Sequence, residues 1–250
     1  MSSPRFFDAH AHLNLNKSRT WEKDSDWIFN NVSTTFEDFQ VALRQSLKHE
    51  NVYVTAGVHP LEINEHDLES TIQALDKEIG THRKRIIAVG EIGFDFYRAD
   101  QKEVENKQRR WFYAQCGLAK KYDLPLVIHV RKAHDTLLDL LEGMVDLYGV
   151  IHCFEGTEEY ALRYLSLPKK WMLSVSPIVF RPGNEFRTFI RKIDINRLLV
   201  ETDSPFLTED HTKVKELIAF VAKEKEIDFE ECKRILWENF CGFFKLSFNK

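Results

Sequence analysis

Short apolar runs rich in β-branched and aromatic residues recur along the chain, and each is followed by a polar stretch with helical spacing. The runs predict strands over 6–12, 28–33, 52–59, 86–94, 126–131, 150–154, 171–176 and 198–203. Helices are expected over 35–50, 68–79, 103–122, 133–148, 158–167, 185–193, 212–225 and 229–246. In the first of these Phe36, Phe39, Leu43 and Leu47 recur at three- and four-residue steps and form one apolar face. The crossover over 15–27 is polar and barely long enough for a helix, so it reads as a loop with one turn. Eight strands alternating with helices over 250 residues match an α/β (β/α)₈ barrel in count and length. A doubly wound open sheet obeys the same alternation. No GxGxxG follows the first strand, however, and no GxxxxGK[ST] occurs, which weakens its nucleotide-binding version. Without a repeat, low-complexity tract or Gly/Ser linker, one domain over 1–250 is expected.

Composition changes this picture little. With 43% hydrophobic and 30% charged residues the chain is an ordinary globular sequence, long enough to bury a core without staples. Thirty-five basic against 39 acidic side chains leave a formal charge of −4, so no global positive field draws a nucleic-acid backbone. Phosphate binding would have to be local. Cys116, Cys153, Cys232 and Cys241 include no CxxC pair and read as buried free thiols in a reducing compartment. The start, MSSPRFFDAHAHLN, lacks an apolar signal core, and runs such as Leu-Leu-Val at 198–200 fall far short of the ~20 residues of a membrane span. A soluble, cytoplasmic protein is the expectation.

The chemistry lies at the strand ends. The first strand closes on Asp8-Ala9-His10-Ala11-His12, and alternation puts Asp8, His10 and His12 on one face. Other strands end in or near His59, Glu91, His129, His152 and Asp203. In a barrel these share the C-terminal end, where active sites are built. Mixed imidazole and carboxylate donors suit divalent metals, and the set is too large for one tetrahedral ion. Two ions bridged by a carboxylate are the economical arrangement. A lone strand-end histidine is more often a hydrogen-bonded core or surface residue, and that reading is kept for His49, His66, His82 and His211. His134 opens a predicted helix and reads as a solvated first-turn residue. Two inward imidazoles inside a hydrophobic strand are expensive unless ligated or paired, which favours metal for His10 and His12. Asp8 either orients a histidine or bonds backbone.

The ordered motifs FDAHAHLN (7–14), GVHP (57–60), VGEIGFDFYR (89–98), PLVIHVRKA (125–133), IHCFEG (151–156) and LLVETDSPFL (198–207) resemble the TatD family of metal-dependent deoxyribonucleases, amidohydrolase-like TIM barrels. The resemblance spans essentially the whole chain. It implies that His10, His12 and Asp203 hold one divalent ion, that His129 and His152 hold a second, and that Glu91 bridges them. It implies hydrolysis of DNA phosphodiesters, on single strands or ends, with Mg²⁺, Mn²⁺ or Zn²⁺. Asp203 then serves as general base and Glu91 as the other catalytic carboxylate. His59 and Arg131 are expected to bind substrate, Arg131 as a phosphate clamp. Arg98, Lys132 and Arg181 are candidates for a backbone-tracking groove, and Phe94, Phe96, Tyr97, Phe154 and Phe180 for base stacking. The chain departs from the family after TDSP, where an RGxxNEP-like element is missing, and the segment after the first strand is short. The same metal set would serve an enzyme acting on a small amide, ester or lactone. A barrel that binds without catalysing is the remaining alternative, which the intact ligand set argues against.

Overall fold

The computed structural model describes residues 4–97 and 100–248. Eight parallel strands follow one another around a barrel in chain order: β1 (Phe6–Ala11), β2 (Trp27–Val32), β3 (Val52–Ala56), β4 (Ile86–Asp95), β5 (Leu126–Arg131), β6 (Gly149–Ile151), β7 (Trp171–Val175) and β8 (Leu198–Val200). The seam closes between the ends of β8 and β1. There the Asp203 N–H donates to His10 O at 2.9 Å and the His12 N–H donates to Ser204 O at 2.6 Å. Every residue of β2, β4, β7 and β8 is buried, as expected of parallel strands covered by helices outside and packed side chains within.

The helices are α1 (Phe36–Lys48), α2 (Leu68–Thr81), α3 (Gln101–Tyr122), α4 (His134–Leu141), α5 (Glu158–Ser166), α6 (Phe186–Phe189), α7 (Lys213–Lys225) and α8 (Phe229–Phe243). Side-chain caps start several of them: Thr35, Asp67, Asp100, Thr157 and Asp228 accept from first-turn N–H groups. The first crossover holds only a 3-10 turn, Thr20–Lys23, so β1 and β2 are joined without a helix. At the other end of the chain α8 lays Phe240 on Phe7 of β1, with ring centroids 4.5 Å apart.

Three expectations need correction. Leu47 is 54% exposed, because the last turn of α1 presents Ser46 to the core instead. The helix expected over 133–148 stops at Leu141; Gly143 follows, and Met144 and Leu147 continue the apolar period only through turns. Strands β3, β6 and β8 end before their chemical residues. His59, His152 and Asp203 therefore sit just past the ladder, where the chain bends into the mouth. Cys153 and Asp203 take left-handed backbone there, at φ 47° and 53°, a conformation that costs non-glycine residues energy and clusters at functional sites.

Candidate metal centre

Alternation along β1 sends the His10 and His12 rings to the barrel axis, while Ala9 and Ala11 face the other side. The two Nε2 atoms lie 3.2 Å apart. Glu91 Oε2 is 3.4 Å from His10 Nε2 and 3.7 Å from His12 Nε2. Asp203 Oδ1 is 3.7 and 3.3 Å from the same two nitrogens. Donors at zinc-like distances of ~2.0–2.2 Å from a common centre form a tetrahedron with edges of about 3.3–3.6 Å. These five separations bracket that range, and His10, His12 and Asp203 form a compact donor group that could hold one divalent cation, with Glu91 Oε2 beside both rings.

The other oxygen of Glu91 faces a second group. Oε1 is 2.9 Å from His129 Nδ1, 3.2 Å from His152 Nε2 and 3.5 Å from His59 Nε2. Glycines make room for this carboxylate. A Cβ on Gly90 would stand 2.5 Å from Val127 O, and Gly93, at φ +143°, lies so close to β5 that a Cβ would meet His129 O at 1.9 Å. Larger residues at either position would push β4 off β5, and with it Glu91 off the histidines.

Behind the rings stand acceptors that fix their orientation. The His12 Nδ1–H donates to Val32 O at 2.8 Å. The His152 Nδ1–H donates to Glu201 Oε1 at 3.1 Å, and the His129 Nε2–H to Asp95 Oδ2 at 3.0 Å. For His10 no such partner exists among the described residues, and its buried Nδ1 is unpaired. Asp8 does not orient a ring. It accepts from the N–H and hydroxyl of Thr202 at 2.9 and 2.5 Å and from the His10 N–H at 3.3 Å, stapling β1 to the chain beyond β8.

Mutual electrostatics stabilise the ionised carboxylates. Burial alone would raise the pKa of Glu91, but His152, His59 and His10 hold it well below the usual carboxylate range. Asp203 is likewise held down by His12, His152 and His10 against the effect of burial. Burial lowers every imidazole here; for His152, Glu91 and Glu201 overcome it and raise the pKa well above the ordinary value. Asp203 and Glu91 raise that of His12, and Asp95 and Glu91 that of His129. His59, buried and next to the His129 ring, falls to about 3 and stays neutral. His10 also falls, through burial and the proximity of His152.

His10, His12, His59, Glu91, His129, His152 and Asp203 thus converge, with two refinements. His59 joins the donor group of Glu91 and His129, and its nearest charged oxygen belongs to Glu91. The supporting acids Asp95 and Glu201 escaped sequence reading; Asp95 lies with Glu91 in β4, four residues on, whereas Glu201 lies past the end of β8, where strand alternation gives no signal. His10, His152 and Glu201 also form a compact donor group. On the rim Arg131 is exposed and lies over the Tyr97 ring at 3.8 Å. Among the described residues no carboxylate pairs with it. Phe94 and Phe154 are fully buried and drop out as stacking platforms, whereas Tyr97 and Phe180 are exposed. Lys132 and Arg181 are exposed as well, and Arg98 lies outside the described residues. His134 is not a solvated residue: its ring stacks on Tyr160 at 4.6 Å, its Nδ1 lies 3.0 Å from Tyr164 Oη, and burial pushes its pKa down to about 4.

The chain matches the family described as TatD related DNase over residues 7–245. It is 30% identical over 263 aligned positions to YabD of Bacillus subtilis, an uncharacterized metal-dependent hydrolase, covering 96% of this chain and 99% of that one. YjjV, a TatD homolog from Escherichia coli, shares the fold with a TM-score of 0.88 at 24% identity, over 98% of this chain and 99% of that one. A TatD family hydrolase from Entamoeba histolytica does so with a TM-score of 0.84 at 21% identity, over 97% and 99%. No described helix is long and apolar enough to cross a membrane. Matched from its first strand past the end of its last helix, the chain belongs to the TatD family of metal-dependent hydrolases.

Proposed function

We propose that this hydrolase cleaves phosphodiester bonds of DNA, at single strands or strand ends, with two divalent ions that share Glu91. The observation that carries the reading is the position of Glu91, buried with one oxygen toward His10 and His12 and the other toward His129, His152 and His59. His10, His12 and Asp203 would hold one ion and His129 and His152 the other. Bound there, divalent ions lower the pKa of a water and polarise the phosphoryl oxygen. Asp203 is kept ionised by its histidine neighbours and retains some exposure, so it is placed to accept the proton of the attacking water. His59 is neutral and sits at the same mouth, suited to a hydrogen bond with substrate or leaving group. Arg131, exposed on the rim and paired with no carboxylate among the described residues, has a planar fork that matches phosphate oxygens.

The test is an assay on 3′- and 5′-labelled DNA with Mg²⁺, Mn²⁺ and Zn²⁺ in turn, alongside amide, ester and lactone substrates. Metal-dependent strand cleavage that disappears in Glu91→Ala, with the barrel still folded by circular dichroism, is expected. Lactone or amide turnover without DNA cleavage would assign the same centre to a small-molecule hydrolase, and retained cleavage in Glu91→Ala would refute the shared carboxylate.

A further inference from the structure

Phe206 is the most exposed large hydrophobic side chain among the described residues, at 61%, yet it stands beside the metal-facing rings. Its ring meets that of His12 in a T-shaped contact, with centroids 5.0 Å apart and planes at 73°. Such a contact occupies at most one face of the phenyl ring, so the other is left to solvent. An ion held ~2.0–2.1 Å from His12 Nε2 would lie within about 8 Å of the phenyl centroid, a reach that one sugar between a phosphate and its base can cover. Burial does not hold the ring in place; the backbone does. The Phe206 and Leu207 N–H groups donate to Asp203 O at 2.8 and 3.3 Å, closing a turn directly after a metal-facing carboxylate. Asn16 Nδ2 fastens the same turn through Ser204 Oγ at 2.7 Å. The other exposed aromatics of the mouth are placed differently: Tyr97 has the Arg131 guanidinium over its ring at 3.8 Å, and Phe180 packs on Phe220 at 5.6 Å. Phe206 stands on the β8–β1 side of the mouth, and on the β5–β7 side a cleft of about 750 Å³ opens beside Arg131 and the first turn of α4.

We propose that Phe206 is the stacking platform for one of the two nucleobases flanking the scissile phosphate; this rests on the phosphodiesterase reading above. A phenyl ring carries no hydrogen-bonding group, so it recognises the π-face of a base rather than its edge and accepts any base. Phe206 then sets the preference for a nucleotide over a phosphodiester that lacks a base. The apolar surface it leaves in water beside charged groups is covered when a base lies on it, which is favourable in itself. Two rotatable bonds on a fastened turn leave little side-chain freedom to lose on binding. Stacking also needs no positive field, which a chain of net charge −4 lacks.

The kinetic experiment compares three dinucleotides with a single phosphodiester: one with both bases, one lacking the 5′ base and one lacking the 3′ base. Phe206→Leu keeps an apolar side chain without a π-face and should raise KM for the intact dinucleotide about fivefold or more, with kcat little changed. Phe206→Tyr keeps the face and should stay within about twofold of the wild type. Removing the stacked base should raise KM of the wild type by a similar factor and that of Phe206→Leu by much less, whereas removing the other base should cost both proteins alike. Binding is read separately by NMR. Thymidine 3′,5′-bisphosphate added to Zn²⁺-loaded protein should show upfield ring-current shifts of the thymine H6 and methyl protons, and these should vanish in Phe206→Leu. Competition with a chelator should find metal affinity in Phe206→Leu within about twofold of the wild type. Equal KM in the two proteins, or additive penalties for losing the ring and the base, overturns the platform. So does a fall in metal affinity that matches the rise in KM, which would make the ring a support for His12. Ring-current shifts that vanish in Phe206→Leu, with no dinucleotide cleaved in any metal, uphold the platform and overturn the phosphodiesterase reading; cleavage without such shifts does the reverse.

Discussion

The acid behind a metal-facing histidine governs how well that histidine holds an ion, and Glu201 gives the cleanest test of this in the barrel. It is 1% exposed and accepts from the His152 ring at 3.1 Å and from the Cys153 N–H at 2.6 Å. Glu201→Gln keeps the shape and one oxygen acceptor, so the bend at Cys153 survives, but it removes the charge. His152 then loses one of the two carboxylates that raise its pKa and becomes a weaker donor. Removing such a partner typically lowers metal affinity by ~10–100-fold, about 1.4–2.7 kcal/mol at 1.36 kcal/mol per factor of ten. Asp95→Asn should act in the same way through His129, whose Nε2–H it accepts at 3.0 Å. Competition against a chromophoric chelator measures the loss. Asp8→Asn is the control: Asp8 is equally buried and lies in the same strand as His10, but it bonds Thr202 and backbone rather than a ring. It should lower the melting temperature and leave metal affinity within about twofold, since it touches no metal-facing ring. If Glu201→Gln binds metal as tightly as the wild type, or if Asp8→Asn weakens binding as much, the orientation argument fails.

Metal uptake should release protons, because the metal-free site raises the pKa of His12, His129 and His152, and these protons must leave before the imidazoles can ligate. Affinity therefore rises with pH through neutrality and levels off once the site is deprotonated; calorimetry in buffers of different ionisation heat counts the protons, and pH-independent affinity would contradict this. Gly93→Ala puts a Cβ 1.9 Å from His129 O at a φ that L-residues avoid, and should cost roughly 2–6 kcal/mol in urea unfolding of the metal-free protein. The folded-state pKa of His134 lies near 4, below its unfolded value, so its contribution is complete above about pH 6.5 and is lost as pH falls toward 4. His134→Phe should accordingly lose less stability than the wild type across that window, and equal losses would show that the ring is solvated after all.

How far the site could be read from sequence depended on which residues a two-residue period can place. His10 lies inside β1 and His12 one residue past its end, so alternation alone turned both inward, and the glycines around Glu91 marked a close strand approach. Residues past the ladder were another matter. His152 and Asp203 lie where the chain bends into the mouth, with Cys153 and Asp203 in left-handed backbone, which no periodicity signals. His134 looked solvated because it opens a helix; the tyrosines that bury it come from α5, more than 20 residues away.

The loops after β1 and β8 close one side of the barrel mouth. After β8 the chain runs through Phe206 and Glu209 to His211, and that segment is tied to the short loop after β1. Asn16 Nδ2 donates to Ser204 Oγ at 2.7 Å and to Glu209 O at 3.0 Å, and the His211 Nε2–H donates to Asp24 Oδ2 at 2.6 Å. The β8–β1 side of the mouth is therefore walled by two loops stapled to each other, with Phe206 edge-on to His12 at 5.0 Å. Across the barrel the rim opens into the cleft beside Arg131 and α4. The Arg131 guanidinium, paired with no carboxylate among the described residues, lies on that open side. If the substrate is a nucleic acid, as proposed, a chain of net charge −4 has no global field to draw it in, so binding would rest on a few local groups and weaken with salt.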